Sequence, residues 1–282
     1  MNRPTRKVAI LTDPRTPRDK TRLSKIMKKV KGELSDLNVT WQDMTGLSLS
    51  AIVPEKDIDL FLVVGGDGTM IHFAGHLSQF NLPFFGLNYG NVGFMMNRAR
   101  GVLPRTLEAL KKGAFSIWNF PLLEIQGTDL DGNIHRGLGL NDVTIQRMTS
   151  QACRIDVKIG GEKLNYSPFL CDGIILSTPL GSTAYGYNVT RSIVSINTPV
   201  VLFTPIAASR TFPAQNIMLP LDTRFSFKII EPVKRKVQMV CDSFSLGALN
   251  EAEVFLSKTE VQLCFQHDSD QSLPMRLINK ME

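Results

Sequence analysis

The sequence predicts an α/β domain followed by a mostly β domain. Strand-like and helix-like segments alternate over about the first 115 residues, whereas short β-rich runs separated by turn residues dominate from Phe115 onward. The chain has 282 residues, of which 43% are hydrophobic and 21% charged, as is usual for a globular protein. At about 100–200 residues per domain, this length suits two modest domains.

The first domain, residues 1–115, is predicted to be an open sheet flanked by helices. Strands are predicted at 7–12, which ends at Asp-Pro, and at 39–41. Buried strands are predicted at 58–64, an apolar run that ends at Gly-Gly, and at 83–88. Helical patterns cover 17–34, 70–77 and 103–112, and Gly113 closes the last of them. The lysine-rich stretch 25–31 has apolar residues at helical spacing, which predicts the wet face of an amphipathic helix.

The second domain, residues 116–267, is predicted from its strands and turns. Turns are expected at 131–133, 160–161 and 231–232, where Asp, Asn, Gly and Pro cluster. The predicted strands are Leu122–Gln126, Leu138–Gln146, Ala152–Ile159, Gly173–Ser177, Phe225–Ile230, Lys236–Cys241 and Glu253–Phe265. The last residues are too few for a domain, so we expect them to dock on one already built.

Composition excludes several classes of function. Thirty-two Lys and Arg against 26 Asp and Glu give a net charge of +6, which suits an anionic ligand such as a nucleotide. The charges are spread along the chain, so we expect no nucleic-acid partner. The four cysteines form no C-x-x-C motif, which leaves zinc and redox motifs unsupported. Without an apolar run of 18 residues or an apolar start, we expect a cytoplasmic protein with no membrane partner.

The segment Gly65-Gly66-Asp67-Gly68-Thr69 lies directly after a predicted buried strand and before a helix. Glycines allow close backbone approach to phosphates, and free N–H groups at a helix N-terminus attract anions. Asp67 is unusual in such a loop, since phosphate repels a carboxylate. It is explained if Asp67 accepts a proton from a hydroxyl nucleophile or acts beside Mg²⁺. The alternative is a tight turn with Asp67 as the helix N-cap.

Two further segments are candidates for ligand contact. Residues 172–185 form an apolar strand that leads into a loop rich in hydroxyls, which offers many short hydrogen-bond donors; Tyr185 could stack on a base or pack in the core. Asn141 and Asp142 pair an amide with a carboxylate, which suits a vicinal diol or an adenine edge. Taken alone, the Asn-Asp pair is more typical of a turn.

Together these segments resemble the NAD kinase family, in the same order and at similar spacing. The resemblance rests on Gly-Gly-Asp-Gly-Thr, on Asn-Asp, on the Asp-Gly…Ser-Thr-Pro-x-Gly-Ser-Thr-Ala-Tyr run and on the Gly-x-Asn-x-Gly-x-x-Gly-Phe stretch at 86–94. It implies a Rossmann-like open α/β domain, a β-sandwich domain that completes the NAD site, and a tail, 268–282, that returns to the first domain. Gly-Gly-Asp-Gly-Thr alone is shared with lipid kinases.

The resemblance also implies a reaction and a set of roles. The reaction is phosphoryl transfer from ATP, or from polyphosphate, to the adenosine-ribose 2′-OH of NAD. Asp67 would orient or deprotonate that hydroxyl, while Gly65, Gly66, Gly68 and Thr69 would cradle phosphates with Mg²⁺. The residues implied to bind NAD are Asn141, Asp142, Asp172, Ser177, Thr178, Ser182, Thr183, Ala184 and Tyr185. A homodimer or homotetramer, with part of the site completed by a neighbouring subunit, is implied as well.

The chain also departs from the family's pattern, mostly in its second half. Asp142 replaces the usual Glu, Leu180 replaces a small residue, and Asn188–Ser192 replaces Ser-Ala-Gly-Gly-Pro, which loses two glycines and adds Arg191. Relatives have a His after Thr-Pro-Ile, whereas this chain continues with Ala-Ala and Ser209. Ser243 replaces a Gly. These departures leave two alternatives open: a catalytically weak NAD(P)-binding regulatory protein and, less favoured, a diacylglycerol-type lipid kinase.

The spacing of His72 and His76, four residues apart on a predicted helix, could serve a metal ion. No third ligand is evident in the sequence. We therefore predict no protein-held metal site, and we expect these side chains to face solvent or to reach toward bound phosphate.

Overall fold

A computed structural model describes residues 3–13, 17–90, 93–209 and 216–267, with backbone alone at 17–19. The chain forms two compact units: one contains the chain up to Phe120 and again from Val261, and the other is Pro121–Glu260. The division predicted at 115/116 and 267/268 differs from these limits because one strand crosses each limit, Phe115–Thr128 and Glu251–Gln266. The predicted return of 268–282 concerns residues outside the described part.

In its described residues, the first unit contains parallel strands and three α-helices. Its elements are β1 (Lys7–Leu11), α1 (Pro17–Asp36), β2 (Thr40–Asp43), β3 (Leu60–Gly65), α2 (Asp67–Leu77), β4 (Phe84–Asn88), β5 (Asn97–Arg98) and α3 (Leu103–Lys112). The strands are ordered β2-β1-β3-β4, all in parallel, and β5 also pairs with β4. The predicted open α/β sheet is confirmed.

Helices α1 and α3 of this unit follow their sequence patterns. In α1 the apolar face packs into the core through Met27, Val30 and Leu34, whereas the lysines of the predicted wet face, Lys25, Lys28 and Lys29, are exposed. Helix α3 has the predicted limits, and Gly113 caps it with the left-handed φ of 66° that glycine adopts without strain. Both predictions are confirmed.

The second unit is a β-sandwich. After β6 (Phe115–Thr128), it contains β7 (Ile134–Gly139), β8 (Asp142–Arg147), β9 (Cys153–Ile159), β10 (Glu162–Lys163), β11 (Phe169–Cys171), β12 (Gly173–Ser177), α4 (Tyr185–Thr190), β13 (Val200–Ile206), β14 (Ile217–Pro220), β15 (Phe225–Ile229), β16 (Val237–Cys241), β17 (Phe244–Ala248) and β18 (Glu251–Gln266). One sheet is antiparallel throughout, in the order β14-β13-β12-β8-β16-β17. The facing layer contains β9, β15 and the first part of β18.

Aromatic side chains join the two layers of the sandwich. Phe203 of β13 stacks on Phe225 of β15, with ring centroids 6.0 Å apart and an interplanar angle of 8°, and both side chains are fully buried. Residues of both layers belong to one hydrophobic core. This contact across the layers confirms the sandwich predicted for this half of the chain.

One predicted strand is wrong. The run Leu138–Gln146 is two strands, because the chain turns at Leu140 and Asn141 between β7 and β8. Gly139 allows this turn, since a Cβ there would lie against the Asp142 carbonyl. The sequence patterns did not predict strands β5, β10, β11, β13, β14 and β17. None of the helices among the described residues is long and apolar enough to cross a membrane.

Candidate functional site

The glycine-rich segment forms a strand–loop–helix. Strand β3 ends at Gly65, Gly66 is the extended N-cap residue, and α2 begins at Asp67, three residues earlier than predicted. Gly68 and Thr69 therefore lie in the first turn of the helix, where backbone N–H groups are directed at an approaching anion.

A second glycine-containing stretch packs against this loop. The carbonyl of Gly65 accepts the N–H groups of Tyr89 and Gly90, at 2.7 and 3.2 Å. A Cβ on Gly90 would lie 3.2 Å from Gly66 Cα, so the two backbones touch where both residues lack a side chain. The stretch at 86–94 thus forms one wall of the loop, although Asn91 and Val92 lie outside the described residues.

The carboxylate of Asp67 is oriented by this second stretch. Its two oxygens accept the backbone N–H groups of Phe94, at 2.9 Å, and Met95, at 3.0 Å. The alternative in which Asp67 is an N-cap is wrong, because Gly66 occupies that position. A carboxylate has about four acceptor positions, so two backbone bonds fix its direction and are compatible with a further contact to a hydroxyl.

Two arginines beside the loop were missed in the sequence. Arg22 of α1 and Arg100 both donate to the Tyr89 carbonyl, at 3.0 and 2.6 Å. These guanidinium groups bring positive charge next to the glycine loop, which favours an anionic ligand. Their separation of 78 residues hides the pairing, since no local pattern connects them.

In the second unit, the start of β8 is held from two sides. The Asp242 carboxylate accepts the backbone N–H groups of Leu140, Asn141 and Asp142 at 2.8, 2.8 and 3.1 Å. On the other side, Thr178 Oγ1 donates to the Leu140 carbonyl at 2.7 Å, and Thr178 N donates to the Asn141 carbonyl at 2.9 Å. A Cβ on Gly181 would overlap that same carbonyl. The Asn141 backbone is therefore fixed in place.

Two predicted site residues carry buried polar atoms without a partner. Among the described residues, the buried side-chain atoms with no hydrogen-bond partner are Asn141 Oδ1, Ser177 Oγ and Asn216 Nδ2. Leaving a buried polar group unpaired costs about 1–3 kcal/mol, and native structures contain few of them. Asn141 Oδ1 is therefore an acceptor, held on a fixed backbone, that a hydrogen-bond donor of a ligand would satisfy.

Asp142 and Asp242 form a buried acidic pair. Burial, and then the nearby Asp242 charge, raise the pKa of Asp142 to about 7, and Thr144 Oγ1 donates to its Oδ1 at 3.2 Å. Burial raises the pKa of Asp242 to about 6, against the lowering effect of its three backbone hydrogen bonds. Asp142 is thus the more easily protonated member of the pair.

The other predicted NAD contacts differ in what they touch. Asp172 forms a two-point ion pair with Arg147, with Nε–Oδ1 2.7 Å and Nη2–Oδ2 3.2 Å. The Ser182 hydroxyl donates to the Pro179 carbonyl at 2.7 Å, and that of Thr183 to the Leu180 carbonyl at 3.2 Å. Thr178 and Ser182 are buried, so the structure turns their hydroxyls toward the backbone.

Tyr185 is the first residue of α4 and Ala184 is its N-cap, so the run of hydroxyls ends at a short helix. The Tyr185 side chain is 38% exposed, which leaves its ring available to a ligand. At the other end, Arg191 adopts the left-handed φ of 56°, and its guanidinium lies over the Tyr187 ring at 5.1 Å. The added cation of this segment is therefore stacked on a neighbouring ring.

The histidine pair gains no metal partner. Within the described ranges, no group of three His, Cys, Asp or Glu side chains is placed to hold a metal ion. His72 and His76 remain on α2, where the His72 ring meets Phe73 edge to face at 5.0 Å.

An α/β unit with a glycine loop and an oriented carboxylate at a helix N-terminus, followed by a β-sandwich unit, has the features expected of a protein that binds a phosphate-bearing ligand. The sequence matches the ATP-NAD kinase N-terminal domain over residues 16–115 and the ATP-NAD kinase C-terminal domain over 140–255. The chain belongs to the NAD kinase family, as its sequence predicted.

Relatives and solved structures agree with this assignment. The chain is 31% identical to an NAD kinase of Caulobacter vibrioides over 229 residues, 80% of this chain and 85% of the relative. It is 33% identical to one of Rickettsia bellii, over 66% of this chain and 71% of the relative. The fold is similar to that of yeast NADH kinase complexed with NADH, with a TM-score of 0.76 at 22% identity over 99% of this chain and 88% of the other. An Archaeoglobus fulgidus NAD kinase in complex with ATP gives 0.74 at 19% identity, over 98% and 97%.

Proposed function

We propose that this enzyme transfers the γ-phosphoryl group of ATP to the adenosine-ribose 2′-hydroxyl of NAD and so produces NADP. The observation that carries the proposal is the Asp67 carboxylate, oriented by the N–H groups of Phe94 and Met95 at the N-terminus of α2. The names of the relatives support NAD as acceptor, and a neighbour in complex with ATP supports ATP as donor.

In the proposed step, the 2′-oxygen forms a bond to the γ-phosphorus while the bond from that phosphorus to the β–γ bridging oxygen breaks. The hydroxyl proton passes to Asp67, and ADP leaves with the bond's electron pair. Such a general base contributes about 10²–10⁴-fold to the rate. The protein takes no other part in the bonds that form and break during phosphoryl transfer. The glycine loop and the first turn of α2 therefore serve to position phosphates.

The predicted NAD contacts of the second unit take two roles in this proposal. Asn141 Oδ1 and Ser177 Oγ contact the dinucleotide directly, because each is a buried polar atom that lacks a partner in the protein. Asp142, Thr183, Ala184 and the exposed Tyr185 ring contribute to the same subsite. Thr178 and Ser182 hold the loop in place through their backbone hydrogen bonds. Asp172 acts with its partner Arg147.

Magnesium fits this site as a companion of ATP. Mg²⁺ in kinases is held by substrate phosphates with only one or two carboxylates, and the oriented Asp67 oxygens are a donor of that kind. When bound, the ion would neutralise charge on the phosphates. Asp67 is the group of this chain that would face it, while the N–H groups of the glycine loop would face the phosphates.

The same proposal includes a homodimer or homotetramer in the cytoplasm. Support for the compartment comes from the four cysteines, which are free thiols although Cys153 Sγ lies 3.5 Å from Cys171 Sγ. Light scattering of the purified chain would give the number of subunits.

An acceptor and donor panel tests the reaction. The purified chain is incubated with Mg-ATP or polyphosphate and with NAD, NADH or diacylglycerol in vesicles. We expect NADP from NAD and ATP. Phosphorylated lipid would favour the lipid-kinase alternative, and NAD binding without turnover would favour the regulatory one.

A further inference from the structure

Asp242 contacts the predicted dinucleotide site from a distant part of the sequence. It lies in the two-residue turn between β16 and β17, a hundred residues after the segment it binds. Its φ of 52° is left-handed, a conformation that Asp tolerates better than most residues. Ser243 has no positive φ, so the glycine that relatives place there is not needed for this turn.

The carboxylate of Asp242 binds three consecutive backbone N–H groups at the start of β8. Carboxylate–N–H bonds are among the stronger hydrogen bonds, since the acceptor is charged. The backbone N–H of Asp242 also donates to the Asp142 carbonyl at 2.9 Å. The turn therefore holds Leu140–Asp142 through both its side chain and its backbone.

Thr178 holds the opposite side of the same three residues. Its hydroxyl donates to the Leu140 carbonyl and accepts the N–H of Gly181, while its own N–H binds the Asn141 carbonyl. We call Asp242 and Thr178 the Asn141 clamp. The clamp satisfies both the backbone N–H and the backbone carbonyl of Asn141, whereas the side-chain Oδ1 has no partner in the protein.

We propose that Asp242 and Thr178 are positioning residues that aim the Asn141 side chain at NAD. The physical reason is that an acceptor contributes most to the binding free energy when its backbone is already fixed, because binding then orders nothing further. The inference rests on the proposed function, because it takes NAD as the ligand that Asn141 meets. Neither clamp residue needs to touch the substrate.

A double-mutant cycle on NAD affinity tests the clamp. Titration calorimetry of the full chain with NAD would compare wild type, Asp242→Asn, Asn141→Ala and the double variant. The amide of Asp242→Asn keeps one acceptor oxygen but places an NH₂ donor against a backbone N–H donor, so we expect NAD to bind about tenfold more weakly. Because Asp242 acts through Asn141, we expect the combined loss to be at least about threefold smaller than the product of the single losses.

Turnover separates a positioning role from a general loss of structure. The KM for NAD should rise in Asp242→Asn while the KM for ATP stays within about twofold of wild type. Asp222→Asn is the matched control, since Asp222 is an exposed carboxylate of the same unit, and it should leave both constants unchanged. Equal increases in both KM values would contradict the inference.

Thr178→Val is the second variant, and it decides the question if Asp242→Asn does not fold. It keeps the shape of the side chain and loses the hydroxyl, whereas Thr178→Ser keeps the hydroxyl and should restore NAD affinity. Additive losses in the cycle, or unchanged NAD affinity in Thr178→Val, would overturn the inference while wild type still makes NADP. A wild type that neither binds NAD nor makes NADP would instead overturn the proposed function, and the clamp's role with it.

Discussion

The two units position their candidate ligand-binding groups by different physical means. In the first unit, glycines let two backbone segments touch, Gly66 against Gly90, and the resulting loop directs the Asp67 carboxylate. In the second unit, a buried carboxylate and a threonine hold one short segment by hydrogen bonds. Close backbone contact depends on the absence of a side chain, whereas the hydrogen bonds of the clamp depend on particular polar groups. The departures from the family's pattern named above fall in the second unit.

The largest effect is expected where the first unit meets the reacting hydroxyl. Asp67→Asn keeps the size of the side chain and removes the proton acceptor, so kcat should fall by about 10²–10⁴-fold. NAD affinity, measured by calorimetry, should change little. Asp131→Asn, at an exposed turn of the second unit, is the control. Near-normal turnover of Asp67→Asn would make Asp67 structural.

A pair of glycine variants compares the two means of construction directly. A Cβ on Gly181 would overlap the Asn141 carbonyl, which belongs to the clamped backbone, whereas a Cβ on Gly65 would overlap the side chain of Thr69. The overlap at Gly181 is the deeper one, since its Cβ would lie 1.9 Å from a backbone oxygen, whereas the Gly65 Cβ would lie 2.4 Å from Thr69 Oγ1 and 2.7 Å from Thr69 Cβ. We therefore expect Gly181→Ala to lose free energy of unfolding at the upper end of about 1–3 kcal/mol, and Gly65→Ala to lose less. Urea unfolding would measure both, and the reverse order would contradict the comparison.

The acidic pair of the second unit predicts a pH dependence. The folded-state pKa of Asp142 is raised to about 7, above its ordinary value, by burial and by Asp242. Its contribution to stability is therefore fully present below the ordinary pKa and is lost as pH rises through about 7. Asp142→Asn removes this loss and keeps an acceptor for the Thr144 hydroxyl.

We expect Asp142→Asn to be more stable than wild type by on the order of 2 kcal/mol at pH 8, with the difference closing near pH 4. Melting temperatures at a series of pH values would measure it. Asp242 titrates in both proteins, so it does not produce the difference. A constant difference from pH 4 to pH 8 would show that the Asp142 charge is not its source.

The smallest effect is expected at Arg191, one of the two positions where the family's pattern has a glycine. Glycine at its left-handed φ of 56° would relieve about 1 kcal/mol of strain, and losing the stacking of Arg191 on Tyr187 would cost about 0.5–1 kcal/mol. Arg191→Gly should thus change the free energy of unfolding by less than about 0.5 kcal/mol. Asn81→Gly, at a left-handed position of the first unit, is the matched control. A change above about 2 kcal/mol in Arg191→Gly would show another role for this residue.

More of the candidate site could be predicted from the sequence in the first unit than in the second. Strand β3, the glycine loop and α2 could be predicted because the apolar run, the glycines and the helical pattern are adjacent in the chain. Asp242 could not be linked to Asn141, since their contact joins residues 101 apart and leaves no periodic pattern. The same large separation in sequence explains why the break at Leu140 in a predicted strand was missed. The Asp242 carboxylate, in the turn between β16 and β17, binds the backbone where the strand breaks.

The measurement that tests the central claim most directly is the position of the transferred phosphate. The purified chain would be given NAD and Mg-ATP labelled with ³²P in the γ-phosphate, and the dinucleotide product would be isolated and cleaved to its nucleotides. The account predicts label in NADP as the 2′-phosphate of the adenosine ribose, with about 10²–10⁴-fold slower labelling by Asp67→Asn. Label on another hydroxyl, or NAD that binds without acquiring label, would contradict it.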